Sequence, residues 1–193
     1  MYFNVEYEIE KRIIKSLRSI FENDEQFVYN GNGDVDGLKI TTDFPEGDVF
    51  PYNTPHLVVA GVSFQDNLHN SFSYNFMNDV EHEGVKNCMQ QYSRIIPYSV
   101  NIIAIGTRND SKDLASRLHH YISFGACQYI SEYQQLQISG ISKSQTSPSK
   151  QYPKKVFETS VNIRGTLHWV GTKHHSEVLD DVNHPLHNIK IKF

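Results

Sequence analysis

The sequence of 193 residues is poor in the features that define several protein classes. It has only two cysteines, Cys88 and Cys127, which are too few for a disulfide scaffold and are expected to be reduced thiols. No segment approaches the roughly 18 consecutive apolar residues of a membrane span, and the N-terminus lacks the pattern of a signal peptide. The net charge of −4 gives no general attraction to nucleic acid or membranes. We therefore expect a cytoplasmic protein with no membrane partner.

Signatures of catalysis are also missing. No G-x-S-x-G elbow occurs, and neither cysteine lies in a recognised catalytic motif. The turn "GTRNDSK" lacks the second glycine of a P-loop, and Asp110 and Asp113 would place negative charge where a phosphate would dock. We interpret the turn as framework, with Asn109, Asp110 or Ser111 capping the helix that follows. The sequence predicts no enzymatic activity and no cofactor.

One loop has the spacing of a calcium-binding loop. Its oxygen donors and glycine fall on positions one, three, five, six and twelve of an EF-hand, and they are Asn32, Asp34, Asp36, Gly37 and Asp43. The helix that should follow is replaced by the segment "DFPEG", and Asn-Gly and Asp-Gly also favour ordinary turns. A calcium-binding module therefore stays an alternative hypothesis, and no metal site is predicted.

The ten histidines do not show the spacing of a zinc site. The adjacent pairs diverge on a helix or a strand, and "HPLH" has no third ligand at a recognisable spacing. These residues are His119, His120, His174, His175, His184 and His187. Surface or interface histidines are the better interpretation.

Hydrophobic periodicity predicts an α+β (mixed α/β) fold. The segment "EYEIEKRIIKSLRSIFEN" has an apolar helical stripe, and "DSKDLASRLHHYI" predicts a second helix. Strands are predicted for "HLVVAGVSF", "SFSYNFM", "SVNIIAIGT" and "LQISGI", whereas residues 79–97 have no clear period. We expect a largely antiparallel sheet with two main helices packed on one face and a long β-hairpin arm.

The last predicted strand alternates clearly. One face carries Thr159, Val161, Ile163, Leu167 and Trp169, and the other carries Glu158, Ser160, Asn162, Arg164, Thr166 and His168. Before it lies the lysine-rich segment "SKSQTSPSKQYPKK", which we expect to form a flexible arm at about residues 142–155. The arm is either a solvated surface or a segment that orders against a partner. In the second case the candidate contacts are Lys143, Lys150, Tyr152, Lys154 and Lys155.

The order of these features resembles that of the tail-terminator (neck) proteins of long-tailed bacteriophages. The resemblance rests on the helix "YEIEKRIIKSLRSIF", the approach "FPYNTPHLVVAGVSF", the unit "VNIIAIGTRNDSKDLASRLHHYI", the strand "LQISGI" and, after the arm, "FETSVNIRGTLHWVG". It covers about residues 5–170, within a single domain of residues 1–170, and leaves 171–193 as a C-terminal extension. Residues 79–97 and the extension depart from the compact family pattern.

The resemblance implies a structural virion protein without an active site. Family members form a ring at the head-proximal end of the tail, end polymerisation of the tail tube and join the tail to the head connector. The implied partners are copies of the chain in a homo-oligomer, expected to be a hexamer, with tail tube protein and a head connector or head-completion protein. DNA would pass through the lumen without specific binding, and the protein would be found in the virion and, during assembly, in the host cytoplasm.

Other hypotheses predict different behaviour. The chain could be another connector, head-completion or baseplate component, which would copurify with different virion proteins. A small hydrolase or nucleotide-binding enzyme built on the strand–turn–helix unit would lose nucleotide binding on substitution of Thr107 or Lys112.

Overall fold

The computed structural model describes residues 4–31, 37–46, 54–65, 73–82, 85–125, 136–152 and 155–178, with side chains omitted for 73–82, 85–94 and 169–178. In chain order the elements are α1 (Val5–Phe21), β1 (Lys39–Thr41), β2 (His56–Phe64), β3 (Ser73–His82), β4 (Val85–Gly106), α2 (Arg108–His120), a π-helical turn (Tyr121–Gly125), β5 (Leu136–Lys143), β6 (Ser147–Pro148) and β7 (Phe157–Val178).

The described strands form one mixed sheet in the order β1-β2-β4-β7-β5, with β3 paired to β4 and β6 to β7. The β1–β2 pair is parallel, whereas β2–β4, β3–β4, β5–β7 and β6–β7 are antiparallel. The predicted α+β fold with a largely antiparallel sheet is therefore confirmed. The hairpin that joins β5 to β7 is also present.

The chain divides into two compact units. The first comprises Met1–Leu68 and Ile95–His168, and the second comprises His69–Arg94 and Trp169–Phe193. In the second unit β3 pairs with the first part of β4, from Ser73 opposite Ser93 to His82 opposite Val85. Residues 79–97, which had no clear period, thus contain the end of β3 and the start of β4. A register shift between Met77 and Val80 interrupts the alternation there.

Helix α1 has the amphipathic character that its sequence predicts. Asn4 caps it, because the Asn4 side-chain oxygen accepts a hydrogen bond from the Tyr7 amide at 3.1 Å. Its buried stripe packs on β1 and β2 and consists of Val5, Ile9, Ile13, Leu17 and Phe21.

Helix α2 begins earlier than the sequence predicted. Thr107 is the N-cap: its hydroxyl accepts a hydrogen bond from the Asp110 amide at 3.3 Å and donates one to the Asp110 carboxylate at 2.6 Å. The prediction that Asn109, Asp110 or Ser111 is the cap was therefore wrong, since all three lie in the first turn. Threonine caps a helix through the same hydroxyl chemistry as serine, and the Asp110 carboxylate lies at the positive end of the helix dipole.

Both helices pack on one face of the sheet in the first unit. The rings of Phe21 in α1 and Tyr121 after α2 meet edge to face, with centroids 5.8 Å apart. Alternate residues of β4 and β7 are buried beneath the helices, and they are Ile96, Tyr98, Val100, Ile102, Ala104, Thr159, Val161, Ile163 and Leu167. The predicted alternation of β7 is thus confirmed for its described side chains, whereas the Trp169 side chain lies outside them. Among the described residues, the opposite face carries the contacts of Tyr152 and Val156 at one end and half-buried or exposed polar side chains elsewhere.

Candidate interaction surfaces

The predicted arm lies along the edge of the sheet. β5 runs antiparallel to β7 from Leu136 opposite Leu167 to Lys143 opposite Val161. The Ser144 amide donates to the Ser160 carbonyl at 2.8 Å, and β6 then continues the pairing with Ser147 opposite Glu158. Residues 149–152 and 155–156 lie in the segment between β6 and β7, which we call the arm loop. The arm is therefore a continuation of the hairpin along most of its length.

Tyr152 anchors the loop on the face of the sheet opposite the helices. It is only 2% exposed and packs with Val58, Ile105 and Val156, with Phe44 and Ile103 beside them. The Tyr152 hydroxyl donates a hydrogen bond of 2.5 Å to the Pro45 carbonyl. Burial, with a smaller effect from the nearby Glu158 charge, raises the pKa of Tyr152. The loop thus seals the apolar end of this face.

These contacts bear on the predicted arm and on Tyr152 as a partner contact. The Tyr152 ring belongs to the core of its own chain, so the ring offers little surface to a partner, and the contact stays a prediction for this residue. The physical reason is the continuous apolar run in β4, which leaves Ile103 and Ile105 on the second face in need of cover. One aromatic ring and Val156 supply that cover in a segment that is otherwise polar.

Replacing Tyr152 by phenylalanine tests this packing. We expect the free energy of unfolding to fall by about 1 kcal/mol, because the half-buried Pro45 carbonyl loses its hydrogen-bond donor while the ring stays in place. Urea denaturation followed by circular dichroism measures the change. Lys150→Ala, in the same loop but exposed, is the matched control and should be neutral. Equal stability of Tyr152→Phe and the wild type would mean that the loop does not pack as described.

The lysines of the arm are placed differently from one another. Lys143 is exposed at the end of β5, and its ammonium group donates to the Ser116 hydroxyl of α2 at 2.7 Å. Lys150 and Lys155 are both exposed in the loop that Tyr152 anchors, and Lys155 has a left-handed backbone with φ of 60°. Lys154 lies outside the described residues. The structure therefore brings Lys150 and Lys155 onto one loop and ties Lys143 to α2.

A ladder of uncharged polar side chains occupies the second face beyond the arm. The Asn162 amide donates to the Ser99 hydroxyl at 3.1 Å, which connects β7 to β4. On the other side of β7, the hydroxyl of Thr166 and the ring of His168 both lie 3.4 Å from the Gln137 amide oxygen of β5. This polar face spans three adjacent strands and is half-buried or exposed throughout.

An open groove of about 560 Å³ crosses one end of the polar face. The residues that line the groove come from β2, β4, β7 and β5 and from the position directly after β2. They are Ser63, Phe64, Gln65, Pro97, Tyr98, Ser99, Ser139, Arg164, Gly165 and Thr166. The pairing of β5 with β7 shifts register between Ile138 and Gly140, so Ser139 is the extra residue of a β-bulge at this place. The Ser139 hydroxyl donates to the Arg164 carbonyl at 3.2 Å.

The Asp24 carboxylate joins the two helices. It is buried and accepts hydrogen bonds from the amides of Gln26 (2.8 Å) and Phe27 (2.7 Å), the Tyr121 hydroxyl (2.6 Å) and the Arg117 guanidinium (3.1 Å). Burial alone would raise the pKa of Asp24, but these hydrogen bonds and the Arg117 charge outweigh it and lower the pKa. Sequence reasoning missed this network because Arg117 and Tyr121 are 93 and 97 residues from Asp24 in the chain.

The calcium candidate is only partly described. Asn32, Asp34 and Asp36 lie outside the described residues, whereas Gly37 is buried and Asp43 is exposed. The Asp43 carboxylate accepts a hydrogen bond from the Thr42 hydroxyl at 3.3 Å. Among the described side chains, no group of three or more His, Cys, Asp or Glu converges on one point.

The remaining candidates divide between described and undescribed parts of the chain. His119 and His120 end α2, and the His120 ring lies 5.1 Å from that of the exposed Phe124. His174 and His175 lie in β7 and Cys88 lies in β4, but their side chains are outside the described set. His184, His187 and Cys127 lie wholly outside it.

Comparison with known proteins does not identify a family. No protein-family model matches the sequence. A search of curated proteins gives no significant match. The resemblance to tail terminators therefore stays a prediction. Within the described part of the chain, no helix is long and apolar enough to cross a membrane.

Proposed function

We propose that this chain is a ring-forming structural subunit of the tail-terminator type, which ends a phage tail tube and joins the tail to the head connector. The observation that carries the proposal is the asymmetry of the sheet. One face is covered by both helices, whereas the other has an apolar end sealed by the arm and an open ladder of hydroxyl and amide groups. Such a sheet is suited to be the wall of a water-filled channel.

The chemistry of the polar face suits passage of DNA without tight binding. Protein–DNA affinity comes largely from cations that neutralise phosphates and release counterions. The polar face offers neutral groups from Ser99, Asn162, Thr166 and Gln137, with Arg164 as its one arginine among the described residues. The net charge of the whole chain is −4. DNA would therefore slide past this surface.

The anchored loop supplies a contact to a neighbouring subunit or to the tube. Tyr152 and Val156 fix its base in the subunit, while Lys150 and Lys155 remain exposed. A loop that is ordered before docking loses less conformational entropy on binding than a flexible one. A contact between two different surfaces of identical chains is called heterologous. Repeating it forms a closed ring when the rotation between neighbouring chains divides a full turn evenly. Contacts made by Lys150 and Lys155 would therefore start from an ordered base.

Oligomeric state tests the proposal. Native mass spectrometry and negative-stain images of the purified chain should show closed rings, formed alone or after addition of tail tube protein. The double variant Lys150→Glu/Lys155→Glu should lower the fraction of chain in rings by about tenfold, because it reverses the charge of the proposed contact in a chain whose net charge is −4. Lys15→Glu, an exposed lysine of α1, is the control and should assemble as the wild type does.

Two outcomes would contradict the proposal. A chain that stays monomeric at every concentration, with tube protein present, is not a ring subunit. A chain that copurifies with portal protein and not with tube protein belongs to another connector or to head completion.

A further inference from the structure

Arg164 differs from the other arginines whose side chains are described. Arg12 pairs with Glu8, Arg18 donates to the Ile40 carbonyl, Arg108 lies over the Phe157 ring and Arg117 binds Asp24. The Arg164 side chain makes no hydrogen bond, ion pair or ring contact with any described residue, and it is exposed in the groove on the polar face. Among the described residues nothing occupies the five N–H donors of its guanidinium, and we infer that they serve another molecule.

The backbone that carries Arg164 is held firmly. The β-bulge at Ser139 lies opposite it, and the Ser139 hydroxyl donates to the Arg164 carbonyl at 3.2 Å. The next residue, Gly165, fits so tightly against Gln137 that no side chain could be added there. Bulges occur next to binding sites more often than elsewhere, because they redirect a side chain without ending the strand. The arginine thus projects from a rigid base.

The other groups that line the groove can also donate hydrogen bonds. They include the hydroxyls of Ser63 and Thr166 and the amide of Gln65, and no aspartate or glutamate is among the described lining residues. The Thr166 hydroxyl donates to the Gln137 amide oxygen, but at 3.4 Å this bond is long, and a phosphate oxygen can replace it. A guanidinium surrounded by hydroxyls and without a competing carboxylate favours an anion. A tetrahedral phosphate has enough oxygens to accept a bidentate pair from arginine together with hydroxyl donors. The volume, about 560 Å³, lies within the usual range for small-ligand sites.

We propose that this groove binds a phosphate group, with Arg164 as its principal ligand and Thr166 as a supporting donor. The phosphate comes either from a free phosphate compound or from the backbone of DNA passing over the polar face. One arginine contact in each subunit neutralises a single phosphate, which leaves the DNA free to slide as proposed above. The site belongs to a single subunit and does not depend on ring formation. A chain that fails to form rings can still bind phosphate, so the two proposals fail separately.

Thermal unfolding in phosphate, against chloride at equal ionic strength, tests the site on the purified full chain. Phosphate raises the Tm of most proteins by exclusion from their surface, and this general effect should be equal in the wild type and in Arg164→Gln. Binding to the native groove should give the wild type an additional rise of roughly 3–5 °C. Thr166→Val should lose part of that rise, and Lys15→Gln, which removes an exposed cation of α1, should keep all of it.

A second arm of the experiment identifies the source of the phosphate. Fluorescence anisotropy of a labelled 20-base-pair duplex (about two turns of DNA) at low salt measures binding to the backbone. If the affinity for the duplex is about tenfold lower in Arg164→Gln than in the wild type, the groove is a site for nucleic acid. A phosphate-specific rise in Tm without binding of the duplex assigns it to a free phosphate compound.

The inference is overturned by an equal rise in Tm for the wild type and Arg164→Gln, combined with equal or absent binding of the duplex. A misfolded Arg164→Gln variant would be recognised by its circular dichroism spectrum. In that case the Thr166→Val variant decides the matter. If phosphate raises its Tm as much as it raises that of the wild type, the assignment of the groove as a phosphate site is also overturned.

Discussion

Replacing Gly165 by alanine is expected to destabilise the protein by about 4 kcal/mol or more, the largest effect of any single substitution considered. A Cβ atom at this position would lie 2.0 Å from the Gln137 carbonyl oxygen and 2.8 Å from the Tyr98 hydroxyl. The first contact is with backbone, so no rotamer change can relieve it, and β5 would have to move away from β7. Loss of soluble protein, or a large fall in the midpoint of urea denaturation, is the expected observation.

Gly140 is the matched control for this substitution. Gly140 lies in β5 opposite Arg164, the residue that precedes Gly165 in β7. A Cβ atom added to Gly140 would meet no other atom within 4 Å. Gly140→Ala should therefore change the free energy of unfolding by no more than about 1 kcal/mol, with stabilisation expected because the unfolded chain loses freedom. Similar behaviour of the two variants would show that β5 and β7 do not approach each other as closely as described.

Replacing Asp24 by alanine is expected to cost about 3 kcal/mol. The substitution removes the acceptor of four hydrogen bonds, two from backbone amides and two from side chains on or just after α2. Hydrogen bonds to a charged group each contribute about 1.5–3 kcal/mol, but their loss is not additive because Gln26 and Arg117 can turn to water. Denaturation at neutral pH measures the change. Glu25→Ala, an exposed carboxylate next in sequence, is the control and should be nearly neutral.

The same network predicts a pH dependence with a definite sign. Because the folded-state pKa of Asp24 is lowered, its contribution to stability is fully present above the pKa of the unfolded chain, about 3.9. The contribution is lost as the pH falls through the folded-state pKa. The stability difference between the wild type and Asp24→Ala should therefore be constant near neutral pH and become smaller below about pH 4. A difference that stays constant or increases on acidification would contradict the assignment.

Local periodicity in the sequence was enough to predict the framework of the first unit. The alternation of residues 158–168 and the apolar stripe of α1 depend only on which side of a strand or helix is buried. The boundaries of β2 also coincide with the apolar run "HLVVAGVSF". The start of β4 and the end of β3 were not predicted, because an irregular register interrupts the period there.

The features that sequence reasoning missed depend on contacts between distant residues. Asp24 occurs in a polar helix end that looks ordinary, and only the fold brings Arg117 and Tyr121 to it. Tyr152 lies in a lysine-rich segment whose composition indicates flexibility, yet its hydroxyl reaches Pro45, 107 residues earlier. The composition of a segment describes only the average character of its residues. One aromatic side chain that packs on an uncovered apolar strand is enough to hold the whole segment in place.

Arg164 illustrates a further limit of pattern analysis. The alternation of β7 predicts that this residue lies on the polar face, and the structure agrees. It does not predict the bulge at Ser139 or the groove, because both arise from the pairing of β5 with β7. The same side chain would otherwise be an ordinary solvated arginine.

The most direct measurement of the central claim is a cryo-electron microscopy reconstruction of the assembled chain. The account predicts a closed ring, most simply a hexamer, whose lumen is lined by the polar face with Ser99, Asn162 and Thr166 towards the channel, and whose outer part contains α1 and α2. A ring with the helices around the lumen and the polar face buried between subunits, or particles that never close, would contradict it.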